Sequence, residues 1–275
     1  MNDSFEYYNN KNGTHMSETN SQPPIFLINL DKCTERLNNC TSRLNEQNLT
    51  LTRLSAVYGN DLSEAEKQKH YSTSLNQEQY HHALSDCEIG CYLSHRKAWE
   101  KIASGDAPYG IVLEDDIKLV GDLNLAIDTL NNLPIDWDVI KLSAYKDRKR
   151  KEAFSVKVSH GFNLTVHTKP MTGCAASAIT KEAAKKLLQS SESFGRPVDV
   201  DIQHFWETGV NVLSLLHYPV AQDLSYQSTI ADRKVEKSGR FWQRKRQQLT
   251  SYFLNKKAVA QQVANLKKAL NQIQS

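Results

Sequence analysis

The sequence lacks the features of a membrane-spanning or exported protein. No stretch of its 275 residues approaches the roughly 18 consecutive apolar residues that a membrane-spanning helix needs. The first 23 residues are polar and rich in Asn and Ser, without the basic patch and apolar stretch of a secretory signal peptide. Since 39% of residues are hydrophobic and 24% are charged, we expect a folded cytoplasmic protein, with residues 1–23 disordered.

Cysteines are few, and their spacing suggests no cross-linked framework. There are five, an odd number, so in the absence of an export signal we expect reduced thiols. Cys87 and Cys91 are four residues apart in a predicted helix, where both could contact one metal ion. No second pair of Cys or His residues at zinc-binding spacing stands near them, which argues against a zinc site.

Charge is unevenly distributed along the chain. Residues 233–275 contain eleven Lys or Arg residues and one acid, a net charge of +10, whereas the whole chain carries +3. The body is therefore acidic and the C-terminal segment strongly basic. This asymmetry predicts an anionic partner for the C-terminal segment.

The same segment combines its positive charge with apolar side chains: Phe241, Trp242, Leu249, Tyr252, Phe253 and Leu254. Basic residues with such anchors are typical of an amphipathic helix on an anionic membrane surface. We therefore predict peripheral attachment to the inner face of the cytoplasmic membrane; a solvated helix is the alternative. Nothing else in the sequence favours nucleic-acid binding.

Further along, Val259, Val263, Leu266, Leu270 and Ile273 recur at spacings of four and three, as in a coiled-coil seam. Such a seam could form a homodimer, or it could pack on the body of the same chain.

Hydrophobic periodicity predicts alternating strands and helices between residues 24 and 220. Strands are expected at 24–30, 51–57, 109–114, 137–143, 173–180 and 210–220, with one or two more, as a hairpin, in 154–168. Helices are expected at 31–47, 85–104, 122–132 and 181–191, with weaker helical signals in 61–82 and 197–209. This order predicts an α/β domain over residues 24–232 with a mostly parallel central sheet, followed by a basic helical tail at 233–275.

Three adjacent carboxylates end one buried strand, in the sequence GIVLEDDIKL at residues 110–119. Ligands of open α/β sheets bind beyond the carboxyl ends of the strands, where these acids should lie. Glu114 and Asp116 are two residues apart and point to the same side of an extended backbone. Their oxygens suit Mg²⁺ or Mn²⁺, which would offset the repulsion between the charges. An acidic turn on the surface is the alternative.

Five blocks, in this order, resemble glycosyltransferase family 25, the lipopolysaccharide and lipooligosaccharide glycosyltransferases related to the collagen galactosyltransferases. The blocks are PIFLINLDKCTERL (24–37), LSDCEIGCYLSHRKAWEKI (84–102), YGIVLEDDIKL (109–119), WDVIKL (137–142) and GCAASAITKEAAKKLL (173–188). The resemblance implies a GT-A fold, an inverting mechanism and a UDP-sugar donor, most often UDP-galactose. It also implies that Glu114, Asp115 and Asp116 correspond to the family's D-x-D motif, which holds Mn²⁺ on the donor diphosphate.

An inverting transfer needs a base on the face of the sugar opposite the leaving group, and therefore away from the acidic motif. The stretch PVDVDIQHFW supplies Asp199 and Asp201 at the start of a predicted helix. We favour Asp199 as the base, then Asp201. The alternative is that one acid caps the helix and the other is a solvated acid of its first turn.

Several weaker candidates complete the predicted site. The expected donor-binding residues are Asn29, Asp31, Arg36, Ser94, His95 and Asp115, and His217 is a possible further metal ligand. Arg36 could instead pair with Asp31 or Glu35 on the surface. A lone helical histidine such as His95 can also serve as a structural hydrogen-bonding group.

The leading functional hypothesis is an inverting glycosyltransferase that moves a hexose, with galactose as the expected sugar, to a lipopolysaccharide, lipooligosaccharide or other surface-glycan acceptor. The same acids would also serve a metal-dependent nucleotidyltransferase or phosphotransferase. A module that binds sugar nucleotides or membrane surfaces without turnover is the third hypothesis.

Overall fold

A computed structural model of the chain describes residues 22–145, 148–226 and 241–274. An eight-stranded sheet in the order β2-β1-β3-β8-β5-β9-β7-β6 forms its centre. β1 pairs in parallel with β2 and β3, and β5 pairs in parallel with β9. β8 is antiparallel to both of its neighbours, as is β7. Six of the eight strands therefore run in one direction, which confirms the predicted α/β class; β7 and β8 run in the other.

The strands are β1 (Ile25–Asn29), β2 (Thr52–Ser55), β3 (Tyr109–Glu114), β4 (Ile117–Leu119), β5 (Val139–Lys141), β6 (Glu152–Lys157), β7 (Asn163–His167), β8 (Ala176–Thr180), β9 (Val212–Leu216) and β10 (Val220–Gln222). The helices are α1 (Thr34–Asn45), α2 (Glu64–Gln68), α3 (Thr73–Gln79), α4 (Asp86–Ser104), α5 (Leu123–Asn131), α6 (Lys181–Ser190), α7 (Val198–Ile202), α8 (Phe205–Thr208) and α9 (Phe241–Gln274). A small antiparallel sheet of β4 and β10 stands apart from the main sheet.

The predicted elements are present, most of them shorter than predicted. The opening β1-α1-β2 unit is confirmed, and residues 154–168 belong to the antiparallel hairpin of β6 and β7. The strand predicted over 210–220 is wrong in its length. β9 ends at Leu216, because the backbone at His217 is left-handed, with φ 64°, and breaks the extended conformation. The chain then turns into β10, which pairs with β4 beside the acidic motif.

Helix α4 packs on one face of the sheet, against β1, β3 and β8. Ser85 and Glu88 form the predicted capping box at its start, because each side chain accepts a hydrogen bond from the other residue's backbone N–H. Tyr92, Trp99 and Ile102 are almost fully buried on its inner face. Ser94 and His95, which lie between Tyr92 and Trp99 in the helix, are buried as well.

The C-terminal helix α9 is helical as predicted, and its apolar seam packs on the body of the same chain. Val259, Leu266 and Leu270 are buried against the core, and α9 contacts β6, β7 and α8. The Gln262 side chain donates to the Val212 carbonyl at 3.1 Å, and Ile273 is left exposed. Of the two alternatives for the seam, packing on the body is the one observed.

Other predictions lie outside the described residues. They include the conformation of residues 1–21, the domain boundary at residues 232 and 233, and the side chains of Phe241 and Trp242. In the ranges that the structure describes, no helix combines the length and the apolar character needed to cross a bilayer.

Candidate active site

A cavity of about 700 Å³ opens at the carboxyl ends of β1 and β3. It is lined by the acidic motif, by the inner face of α4, by the loop before β8 and by the start of α7. Seven of the ten predicted site residues line it: Arg36, Ser94, His95, Glu114, Asp115, Asp116 and Asp199. The fold therefore brings residues from four separate parts of the sequence to one place, as expected for ligands of an α/β sheet.

Asp115, the middle acid of the motif, is held by two residues that follow or end β1. Asn29 Nδ2 donates to Asp115 Oδ2 at 2.8 Å, and Arg36 Nη1 lies 3.2 Å from Asp115 Oδ1. Arg36 also lies over the ring of Tyr226, 4.9 Å from its centroid. Arg36 is thus a residue of the cavity whose ion pair is with Asp115.

Asn29 and Asp31 do not line the cavity, so their predicted role as direct donor contacts is not supported. Asn29 is buried, and its Oδ1 accepts from Arg53 Nε at 3.0 Å, so it positions Asp115 from behind. Asp31 is exposed and pairs with Arg53 and with the Ser55 hydroxyl. The hydrogen bond from Arg53 lowers the pKa of Asp31. The sequence could not show this pairing, because β2 brings Arg53 to the end of β1.

The Glu114 side chain contacts helix α4 in the cavity. Its Oε1 lies 2.9 Å from Nε2 of His95, which is buried. The ligand atoms of Cys91, His95 and Glu114 all lie within 4.8 Å of one another. Ser94 beside them is structural as well as cavity-lining, since its hydroxyl donates to the Gly90 carbonyl and accepts from Val57 N–H. His95 therefore fixes the Glu114 carboxylate rather than standing alone on its helix.

Asp116 is the acid of the motif with a carboxylate oxygen that has no hydrogen-bond partner in the described chain. Its Oδ2 accepts from Gln222 Nε2 at 2.7 Å, but its Oδ1 is buried without a hydrogen-bond partner in the described chain, as is Oε1 of Gln222. Burial, and next the neighbouring Glu114 charge, raise the pKa of Asp116 to about 6. Buried oxygens without partners are costly. Two such oxygens beside a second carboxylate fit a hard divalent cation.

Gln222 was missed by the sequence analysis, and no local motif marks it. It is more than one hundred residues from Asp116 along the chain. The antiparallel pairing of β10 with β4 sets Gln222 opposite Ile117 and so beside the motif. The possible ligand His217 instead lies exposed in the preceding turn and does not line the cavity, so the structure gives it no part in the metal site.

Asp199 faces the cavity from the first turn of α7. Its Oδ2 accepts from the Thr172 hydroxyl at 2.7 Å and lies 3.4 Å from the Gly173 backbone nitrogen. Gly173 has φ 81°, a conformation that favours glycine, and an added Cβ would meet the Tyr145 side chain at 3.1 Å. The loop thus orients one carboxylate oxygen, while the other accepts no hydrogen bond from the described chain.

Asp201 points away from the cavity into the core. It accepts from the Tyr92 hydroxyl, and Arg196 Nε donates to its Oδ1 at 3.0 Å. Burial raises the pKa of Asp201, and the Arg196 guanidinium opposes that effect. Of the two acids proposed as the base, only Asp199 has access to a substrate. Asp201 instead ties α7 to α4 through the hydrogen bond from Tyr92, and to the preceding loop through its buried ion pair with Arg196.

We expect Asp201→Ala to lower the free energy of unfolding by about 3 kcal/mol, because removal of one partner from a buried ion pair leaves the other without compensation. Arg196 keeps Glu207, which limits the loss. Urea unfolding followed by tryptophan fluorescence measures it, with the exposed Asp136→Ala as the matched control. A loss below about 1 kcal/mol, typical of a surface pair, would show that this ion pair is not structural.

The chain is similar in sequence to known glycosyltransferases. The sequence model of glycosyltransferase family 25, described as LPS biosynthesis proteins, matches residues 22–202. A candidate glycosyltransferase of Haemophilus influenzae is 34% identical over 119 residues, which are 43% of this chain and 40% of that protein. Human procollagen galactosyltransferase 2 is 27% identical over 191 residues, which are 64% of this chain and 29% of that protein.

Among solved structures, the Drosophila β-1,4-galactosyltransferase 7 mutant, in complex with manganese, UDP-Gal and xylobiose, aligns at a TM-score of 0.40 with 10% identity. The alignment covers 82% of this chain and 79% of that one. The chain spans less than half the length of the two curated relatives above. The family match covers β1 to β8, α4, the acidic motif and Asp199, and by that match the chain belongs to glycosyltransferase family 25.

Proposed function

We propose that the protein is an inverting, metal-dependent glycosyltransferase of the GT-A type that uses a UDP-sugar donor. The observation that carries the proposal is the cavity itself. An acidic motif, with an unpartnered oxygen at Asp116, and an oriented carboxylate, Asp199, line it from separate parts of the chain. A single displacement needs a base that is distinct from the groups that hold the leaving group.

Mn²⁺, or Mg²⁺, is the proposed cofactor, with Asp116 as the main ligand and Glu114 and Gln222 as the neighbouring oxygens. When bound, it would neutralise charge that grows on the donor diphosphate. Arg36 and Asp115 lie beside this site and would contact the donor. His95 holds the Glu114 carboxylate, and Asn29 holds Asp115, so both act as positioning residues.

Asp199 is the proposed base. The acceptor hydroxyl oxygen forms a bond to the anomeric carbon as the bond from that carbon to the diphosphate oxygen breaks. The bonding electron pair leaves with UDP, and the hydroxyl proton passes to the Asp199 oxygen that faces the cavity. Thr172 and Gly173 keep the other oxygen in place, so the base does not need to be reoriented during the step.

Galactose is the first sugar to test, since the curated relatives include procollagen galactosyltransferases. The acceptor is proposed to be a lipopolysaccharide, lipooligosaccharide or other surface glycan, which fits the description of the family. Thermal stabilisation by UDP-Gal, UDP-Glc, UDP-GlcNAc, CMP-sugars and GDP-sugars, each with and without Mn²⁺, identifies the donor. We expect a UDP-sugar to stabilise the protein, and to do so only with the metal.

Release of product then distinguishes the functional hypotheses. A glycosyltransferase releases UDP when an acceptor is added, whereas a nucleotidyltransferase releases pyrophosphate. A binding module releases neither. Release of pyrophosphate, or binding without turnover on any glycan acceptor, would contradict the proposed function.

We further propose that α9 attaches the protein to the inner face of the cytoplasmic membrane. Leu249, Tyr252 and Phe253 are each about 60% exposed, and Leu254 is exposed as well. Five exposed basic residues flank them: Arg244, Lys245, Arg246, Lys256 and Lys257. Each basic residue near an anionic surface contributes about 1 kcal/mol, so three or four together would give measurable adsorption.

The expected result is co-sedimentation with phosphatidylglycerol vesicles at low salt, weakened by added salt, and no co-sedimentation with phosphatidylcholine vesicles. Removal of α9 is a poor test, because Val259, Leu266 and Leu270 belong to the core. Tyr252→Ser with Phe253→Ser changes only exposed side chains and should reduce the bound fraction severalfold. The matched control is Ala260→Ser with Ala264→Ser, which changes two exposed positions without removing a large apolar side chain. Equal binding to both lipids would show that charge is not the cause.

The oligomeric state is open to a direct measurement. The seam that suggested it is buried on the body in the described chain. Mass measurement in solution decides the point, and a monomer is the result that this packing favours.

A further inference from the structure

A group of positive side chains lies where the hairpin of β6 and β7 begins and ends. Residues 148–151 are Arg-Lys-Arg-Lys and lead directly into β6, and Lys169 follows β7. The Thr168 backbone N–H donates to the Lys151 carbonyl at 2.9 Å, which sets the two segments side by side. Arg148, Arg150 and Lys169, here called the basic cluster, are thus gathered by the β6–β7 hairpin.

The basic cluster has no acidic partner in the described chain. None of its three members forms an ion pair with another described residue, and Nε of Arg150 is buried without a hydrogen-bond partner. The pKa of Arg150 is lowered, mainly by burial and next by the Arg148 charge. The pKa of Lys169 is lowered too, mainly by burial and next by the Arg150 charge. Like charges held together in this way repel each other, and a bound anion would relieve the repulsion.

The position of the basic cluster relates it to the acceptor rather than to the donor. Arg148 lies over the ring of Tyr145, 5.9 Å from its centroid, and Tyr145 lines the cavity. Lys169 is three residues before Thr172, whose hydroxyl donates to Asp199 at 2.7 Å, so the chain places it near the proposed base. A molecule whose hydroxyl meets Asp199 would therefore extend toward the basic cluster.

We propose that the basic cluster binds a phosphate group on the acceptor, and that the acceptor is a phosphorylated sugar. This inference rests on the proposed function, since it places the anion next to the base of that reaction. Arginine guanidinium groups match phosphate oxygens with paired hydrogen bonds, and Nε of Arg150 has no hydrogen-bond partner in the described chain. Lys169 adds a point charge between the phosphate and Asp199.

Titration calorimetry in the presence of saturating UDP and Mn²⁺ tests the proposal, because the donor site is then filled. The probes are glucose 6-phosphate, unphosphorylated glucose, and glycerol phosphate as the fragment of a lipid headgroup. We expect glucose 6-phosphate to bind about tenfold to a hundredfold more tightly than glucose, as charge-assisted hydrogen bonds would give. It should also bind more tightly than glycerol phosphate, which lacks the sugar.

The variant Arg150→Gln with Lys169→Gln should lose that preference for glucose 6-phosphate and keep its affinity for UDP. Lys101→Gln with Lys185→Gln removes the same charge from exposed positions on α4 and α6, and it should behave as the wild type. Arg148→Gln, at an exposed position, gives a second variant with little risk to folding.

Equal binding of glucose and glucose 6-phosphate would overturn the proposal. Glycerol phosphate that binds as tightly as glucose 6-phosphate would also overturn it, because that result would indicate a lipid headgroup as the ligand. Loss of UDP affinity in the double variant would assign the basic cluster to the donor and overturn it too. If the wild type does not bind UDP with Mn²⁺, the proposed function fails instead. The sugar titrations of the wild type are then repeated without UDP. If glucose 6-phosphate binds no more tightly than glucose in that experiment, the proposal is overturned by itself.

Discussion

Asp116→Asn should lower sugar transfer and Mn²⁺-dependent UDP affinity by about a hundredfold or more, while the protein remains folded. A neutral amide is a poorer ligand for a hard cation than a carboxylate. The fold should tolerate the change, because an Asn oxygen can still accept from Gln222 and one of two repelling charges is removed. Transfer assays and UDP titration with and without Mn²⁺ measure the effect.

The pKa of Asp116 gives this prediction a second readout. Because it is raised to about 6, the carboxylate is charged above that pH and protonated below it. Metal-dependent UDP affinity in the wild type should therefore fall as the pH decreases through 6, and in Asp116→Asn it should lack that step. Asp136→Asn, at an exposed site, is the matched control and should keep the wild-type profile. A variant with wild-type metal dependence would remove Asp116 from the metal site.

Asp199→Asn should lower turnover by roughly two to four orders of magnitude, the usual cost of losing a general base. Donor binding should be nearly unchanged, because Asp199 is on the acceptor side and its hydrogen bonds with Thr172 and Gly173 can be made by an amide oxygen. Single-turnover measurements separate the chemical step from binding. The effect should appear in kcat, with little change in the donor KM.

Asp201→Asn is the informative comparison for the base, since it makes the same chemical change two residues away at a buried position. We expect that variant to lose stability but to keep most of its turnover when folded. Near-normal turnover of Asp199→Asn would show that the base lies elsewhere in the chain. Equal losses of turnover in both variants would indicate that α7 acts as a structural unit rather than through one carboxylate.

The fold and the central motif could be predicted from local sequence patterns. The β1-α1-β2 start follows from periodicity, and the position of Glu114, Asp115 and Asp116 follows from the rule that ligands bind at the carboxyl ends of strands. Asp199, the first choice for the base, lines the cavity and Asp201 does not, for a reason that the sequence does not contain. Only the packing of α7 against α4 decides which of the two acids faces the cavity.

The remaining site residues depend on long-range pairing, which leaves no local signal. The pairing of β10 with β4 brings Gln222 to Asp116. β2 places Arg53 where it forms an ion pair with Asp31, which does not line the cavity. The packing of α9 on the hairpin likewise decides between the two alternatives for its apolar seam. In each case the residue types were visible in the sequence, but their partners were set by strand order and helix docking.

The central claim is that a divalent cation held by the acidic motif binds the diphosphate of a UDP-sugar in this cavity. Calorimetric titration of UDP-Gal and UDP into the wild-type protein, once with Mn²⁺ and once with EDTA, tests it most directly. We predict clear binding with Mn²⁺ and at least a roughly hundredfold loss of affinity with EDTA, restored when Mn²⁺ is added back. Equal affinity in the two conditions would contradict the account.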